Sequence, residues 1–244
     1  MRPVDEAPIA SEPVGARLEA LTLRLRAAAE RAGRDPDAFR IVGITKGFGV
    51  EMARAAVAAG LTRLGENRVQ EALPKVEALP AVEWHLVGHL QSNKARPAVR
   101  AFGWIHSIDD LDLLRRLDGI AHDESLAPAI LLQVNLTAEA SKSGFDGAWF
   151  AGAIGRGGAV TLAARQIVGA RLRGLMTIAR AGAGEAEARD TFRRLRQLRD
   201  RLADALGSDL PELSMGMTAD AEPAVVEGAT IVRVGTALFG PRPG

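Results

Sequence analysis

The chain has 244 residues, 47% hydrophobic and 25% charged, which is ordinary globular usage and enough to bury one sizeable core. Lys and Arg total 31 against 30 Asp and Glu, a formal net charge of +1 that offers no whole-chain attraction to nucleic acid or a membrane and favours a small diffusible partner. Cys is absent, excluding disulfides, thiolate nucleophiles and Cys-ligated metal and fitting a reducing cytoplasm, and Tyr is absent, so no phenol can carry a proton.

The opening MRPVDEAPIASEPVG is polar and Pro-rich, unlike a signal peptide, and predicts a flexible arm over 1–13. No apolar run reaches the roughly 18 residues that span a bilayer. Residues 15–33, GARLEALTLRLRAAAERAG, carry Leu and Ala at helical spacing and stop at Gly33, which predicts an amphipathic helix. Four short apolar runs follow, RIVGITK, TRLGEN, VEWHLVG and WIHSID, each leading into a helical pattern. They end at Lys46, Asn67, Gly88 and Asp109, at intervals of 21 residues, the rhythm of consecutive βα units on a parallel sheet. Four more runs, PAILLQVN (128–135), RLRGLMTI (171–178), PELSMGM (211–217) and TIVRVGT (230–236), bring the strands to eight. Between the last two pairs lie helical patterns such as 185–206, with a Phe192, Leu195, Leu198, Leu202, Leu206 stripe. The Gly-rich 144–166 stretch resists assignment. Eight such units predict a single α/β domain over 14–240, a (β/α)8 TIM barrel with an extra N-terminal helix, followed by a tail over 241–244; an open doubly wound sheet is the alternative.

In such barrels chemistry collects at the carboxyl ends of the strands. Lys46 stands out there, as one of four lysines beside 27 arginines. An apolar wall behind it disfavours the ammonium form, which suits an amine that attacks a carbonyl; the plain alternative is a lysine reaching out to solvent. SMGMTAD, with Thr218 or Asp220 as helix cap, and the strand ending at Gly235-Thr236 supply N–H groups and hydroxyls where barrels commonly bind phosphate, although either could be a simple turn. A phosphorylated carbonyl compound would fit the lysine and the two loops together. His85 and His89 lack the partners of a metal site, and His106, Ser107 and Asp109 lack the context of a catalytic triad.

The blocks ITK, GENRVQE, WHLVGHLQSNKARP, IHSID, QVNLTAEASKSGF, LRGLMTIA, LSMGMTAD and VRVGTALFG together resemble the YggS/PROSC family of pyridoxal phosphate homeostasis proteins, over about residues 14 to 240. The resemblance implies the alanine racemase N-terminal-like, fold-type III barrel, with pyridoxal 5′-phosphate (PLP) held as a Schiff base on Lys46. It further implies Ser214, Gly235 and Thr236 at the phosphate, Arg233 facing the pyridine nitrogen, Asn67 beside the ring, Met176 in the pocket wall, and no bound metal. Lys142 matches a family lysine that is either a second aldehyde contact at the rim or a surface cation. Phe48 replaces a second lysine that many relatives carry, and the C-terminal lysine pair of some relatives is missing.

Alanine racemase uses a lysine and a tyrosine from a separate β-domain, and this chain has no tyrosine. The expected function is therefore a non-catalytic, cytoplasmic PLP carrier for vitamin B6 homeostasis that supplies apo-enzymes, with a monomer as the default state. A PLP-dependent racemase and an aldolase-like barrel with a sugar-phosphate substrate are the alternatives.

Overall fold

The computed structural model describes residues 13–137, 139 and 142–241. Apart from Pro13 and Pro241, the expected arm and tail lie outside these residues. Helix α1 (Val14–Arg31) precedes β1 (Arg40–Ile44), and the first half continues as α2 (Val50–Ala58), β2 (Arg63–Glu66), α3 (Val69–Ala78), β3 (Glu83–Leu86), α4 (Ala95–Ala101), β4 (Trp104–Ile108), α5 (Leu111–Asp123) and β5 (Ala129–Asn135). The second half comprises β6 (Phe145–Asp146), α6 (Gly147–Gly152), α7 (Ala159–Arg165), β7 (Arg171–Met176), α8 (Glu185–Leu206), β8 (Glu212–Ser214), α9 (Ala221–Val226), β9 (Ile231–Val234) and α10 (Thr236–Phe239).

All strand pairings are parallel, and two of them close the sheet: β4 pairs with β5, and β9 pairs with β1 from Arg40↔Ile231 to Gly43↔Val234. Eight strands form the ring, and the two-residue β6 adds only beside the end of β5. The chain is thus a closed barrel and not an open sheet. Strands covered by helices outside and by one another inside must be apolar on both faces, as in β5, where every residue except Asn135 is buried. Inside the barrel, Val42, Ile44, Leu131, Met176 and Ile231 pack together, while the larger cluster fills the layer between strands and helices.

The last strand is followed by a single helical turn, too little to cover its seam with β1. Helix α1 takes that place: Leu21 and Leu25 are buried, the helix lies against α9 and α10, and Arg17 Nη1 donates to Leu238 O at 3.1 Å. The 144–166 stretch contains β6, α6 and α7, two short helices in place of one long one. Asp146 caps α6 by accepting from Trp149 N at 2.8 Å, and Phe145 stacks on Trp149 with ring centroids 5.5 Å apart. No helix among the described residues is long and apolar enough to cross a membrane.

Candidate functional site

Strand β1 ends in a turn whose root is clamped from the neighbouring strand. Thr45 Oγ1 donates to Glu66 Oε1 at 2.5 Å, and Lys75 Nζ reaches both Glu66 Oε1 at 2.6 Å and Thr45 O at 2.9 Å. Glu66 and Lys75 are buried, so this ion pair acts in a low-dielectric setting on the residue immediately before Lys46. Past Lys46, Gly47 at φ 76° turns the chain and Phe48 N donates back to Thr45 O at 3.1 Å. Asn67 closes β2 so near the next strand end that a Cβ on Gly88 would stand 2.3 Å from Asn67 O, which is why glycine ends that run.

A cavity of about 410 Å³ opens at the carboxyl ends of the strands. Its wall brings together Lys46 and Phe48 after β1, Thr218 and Asp220 after β8, and Arg233, Gly235 and Thr236 on β9 and its turn, as well as Lys142. Four of the seven residues expected at a cofactor site, Lys46, Arg233, Gly235 and Thr236, therefore share one cavity. The other three do not line it. Asn67 is half-buried at the end of β2; Met176 is fully buried against Val42 and Ile44; Ser214 is fully buried, its hydroxyl engaged by Arg233 Nη1 at 2.6 Å and His106 Nδ1 at 2.8 Å. Ser214 is too deep and too committed for the phosphate cradle expected of it. Gly216, at φ 89°, turns the chain directly after β8, and Thr218, four residues beyond Ser214, reaches the cavity instead. Asp220 stands at the start of α9, but its carboxylate accepts from Met217 N at 2.6 Å and so pins this turn rather than capping the helix.

Arg233 is buried and pushed down to about 10 by desolvation; it also donates through Nη2 to Thr177 O at 2.9 Å. Lys142 donates to Ala179 O at 3.1 Å and pairs with Glu139. A larger groove of about 860 Å³ runs beside the cavity between α1, α8 and α9, where Arg189, Arg193 and Arg196 surround the buried Glu227. It contains no lysine, whereas the smaller cavity contains Lys46 and Lys142.

The histidines do not assemble as a metal pair or a triad. His89 bonds to Asp109 at 2.8 Å and Ser107 donates to Gly88 O, whereas His85 and His106 bond to each other at 2.9 Å inside the barrel, with His85 also meeting Glu83 at 3.1 Å. Among the described residues no cluster of His, Cys, Asp or Glu could hold a metal ion. Burial, the main cause, lowers His85 below its usual 6.5 and His106 well below it, and the bond from His85 holds Glu83 down at about 2. The unfolded chain takes these protons near pH 6.5 and 4.5, the folded chain only at lower pH, so their contribution to stability is complete above pH 6.5 and is lost on acidification. The urea midpoint should hold above about pH 7, fall below about pH 6.5 and fall further between about pH 4.5 and 2. A midpoint that rises from about pH 7 to about pH 5 would contradict a neutral buried pair.

The sequence matches the model of the alanine racemase N-terminal domain over residues 17–243. It is 43% identical over 222 residues to the pyridoxal phosphate homeostasis protein of Pseudomonas aeruginosa, covering 90% of this chain and 91% of that one. The chain belongs to the pyridoxal phosphate homeostasis protein family. The Aquifex aeolicus member of this family is 38% identical over 228 residues, covering 93% of this chain and 97% of its own. The solved structure of PipY from Synechococcus elongatus with PLP bound is 39% identical, with a TM-score of 0.80 over 93% of this chain and 100% of that one. Alanine racemase from Clostridium difficile in complex with cycloserine, 14% identical with a TM-score of 0.63, covers 91% of this chain and 60% of its own, and shares the barrel. Within the homeostasis family's barrel, sequence reasoning missed Thr45, Glu66 and Lys75 behind the lysine and the bonding of His85 to His106 beneath the cavity.

Proposed function

We propose that this chain binds PLP covalently and reversibly through Lys46 and acts as a carrier that buffers the cofactor and supplies it to apo-enzymes. The observation that carries this reading is the joining, in one cavity, of a primary amine with Arg233 and the Thr218, Gly235, Thr236 turns, in a chain whose relative PipY is solved with PLP bound. The donor set fits the group. Lys46 offers an amine for an aldehyde, the Thr218 and Thr236 hydroxyls with the Gly235 turn offer neutral donors for a phosphate, and Ile44, Phe48 and Met217 offer apolar surface for a ring. Bound there, PLP would supply an electrophilic aldehyde.

Arg233 bears on the electronics of a bound ring. A guanidinium cannot take up the proton that a carboxylate would share with a pyridine nitrogen, so it holds that nitrogen unprotonated and the ring a weaker electron sink. The sequence also has no tyrosine to act as a second base opposite Lys46.

Borohydride reduction of the PLP-loaded protein followed by peptide mass mapping is expected to place the adduct on Lys46, with no α-carbon deuterium exchange in a panel of amino acids beyond that of free PLP. An adduct located elsewhere would overturn the site. Exchange well above the free-cofactor rate would overturn the carrier reading in favour of a racemase-like enzyme.

A further inference from the structure

Beneath the cavity one file of polar side chains crosses the barrel from top to bottom. Arg233 Nη1 meets Ser214 Oγ at 2.6 Å, Ser214 Oγ meets His106 Nδ1 at 2.8 Å, His106 Nε2 meets His85 Nδ1 at 2.9 Å, and His85 Nε2 meets Glu83 Oε1 at 3.1 Å. Arg233 lies near the carboxyl end of β9 in the cavity wall, whereas Glu83 opens β3 at the opposite end of the barrel. Ser214, His106 and His85 are each 0% exposed, so water does not stand in for any of these links.

With both rings neutral, the carboxylate end fixes the direction of every hydrogen bond. A carboxylate only accepts, so His85 Nε2 carries its hydrogen; the neutral ring then accepts at Nδ1, so His106 carries its own hydrogen on Nε2. His106 Nδ1 in turn accepts the Ser214 hydroxyl hydrogen, leaving the Ser214 oxygen to accept from Arg233. The guanidinium, which only donates, is compatible with this assignment, since the Ser214 oxygen has a lone pair free to accept from it.

We infer that Glu83 is a positioning residue for Arg233, acting through His85, His106 and Ser214 to hold the guanidinium in one orientation toward the ring nitrogen of the cofactor. The inference rests on the PLP reading above. The bonds described for Arg233 go to neutral acceptors, Ser214 Oγ and Thr177 O, so its orientation depends on what those acceptors are themselves bonded to. Charged neighbours brace the far end: Arg63 pairs with Glu83 at 3.2 Å, and Arg40 pairs with Glu212 at 3.0 Å while lying over Trp104, which stacks on His85. The burial that keeps both rings neutral supports the assignment. Because arginine does not release its proton, the file conveys orientation and polarity and not a proton.

The first test uses the protein without cofactor. Long-range ¹H–¹⁵N correlation spectra of ¹⁵N-histidine protein are expected to show His85 and His106 both neutral and protonated on Nε2 at about pH 7. Either ring in the Nδ1–H form, or charged, overturns the polarity. The second test reads the visible absorption and affinity of added PLP. Ser214→Ala is expected to shift the band and weaken retention roughly tenfold, as for loss of a hydrogen bond to a charged group. Glu83→Gln, at the partly exposed end where folding is not at risk, is expected to shift the band in the same direction with a loss of about two- to threefold, because an amide can either donate or accept. Wild-type spectrum and affinity in Glu83→Gln would overturn the positioning role even if Ser214→Ala failed to fold. Failure of the wild-type protein to take up PLP overturns the cofactor reading itself, and with it the role toward the ring; the histidine spectra would still decide the polarity separately.

Discussion

Lys46→Ala is expected to abolish the borohydride-stable adduct and to weaken PLP retention on the order of 100-fold, about 2.7 kcal/mol. The proposed phosphate and ring contacts would remain in that variant, so residual, non-covalent binding is expected and the visible band of the bound cofactor is lost. Lys46→Arg sharpens the comparison, since it keeps the positive charge but supplies no amine that reacts with an aldehyde under these conditions. Capture that survives in either variant would move the site to another lysine, and Lys142, which lines the same cavity, would be the first to examine.

The second large effect concerns stability. Lys75→Ala removes one partner of an ion pair whose side chains are 6% and 0% exposed, leaving Glu66 charged and without its counter-ion in the interior. Such a loss costs about 3–5 kcal/mol, or a fall in melting temperature on the order of 10 °C for a chain of this size. The double variant Lys75→Met with Glu66→Leu removes both charges and should recover most of that loss. If the single and double variants unfold at the same temperature, the cost lies in side-chain packing and not in the unpaired carboxylate. Because Lys75 also donates to Thr45 O, both variants should also loosen the turn that presents Lys46, which would be seen as slower capture of PLP by protein that is still folded.

The barrel was legible because its strands are buried on both faces and so stand out as apolar runs, and because the early βα units share one length. That interval held more than the strand count. Thr45 with Glu66, Asn67 with Gly88 and His85 with His106 each stand 21 residues apart and touch across adjacent strands. Reading the interval as a contact rule would have found the clamp and the histidine pair; reading it as a rhythm found only the strands. As cavity-lining residues, Lys46, Gly235 and Thr236 were accessible to reasoning from strand ends. Ser214 was not, because β8 is only three residues long and the turn at Gly216 carries the chain on to Thr218 before it reaches the cavity. Strand-end position alone does not distinguish a side chain facing the barrel interior from one facing its mouth. The 144–166 stretch escaped for a different reason, since α6 and α7 have six and seven residues and are too short for periodicity to show.

The pairing of the first strand with the last also bears on how this protein is made. Lys46 follows β1, while Arg233, Gly235 and Thr236 arrive only with β9, and α1 has its place between α2 and the final turn. During synthesis Lys46 emerges early, yet the cavity it lines is complete only after β9 and its turn have left the ribosome. A nascent or truncated chain would therefore present Lys46 as an ordinary amine, and the capacity to retain PLP would report that the ring of strands has closed.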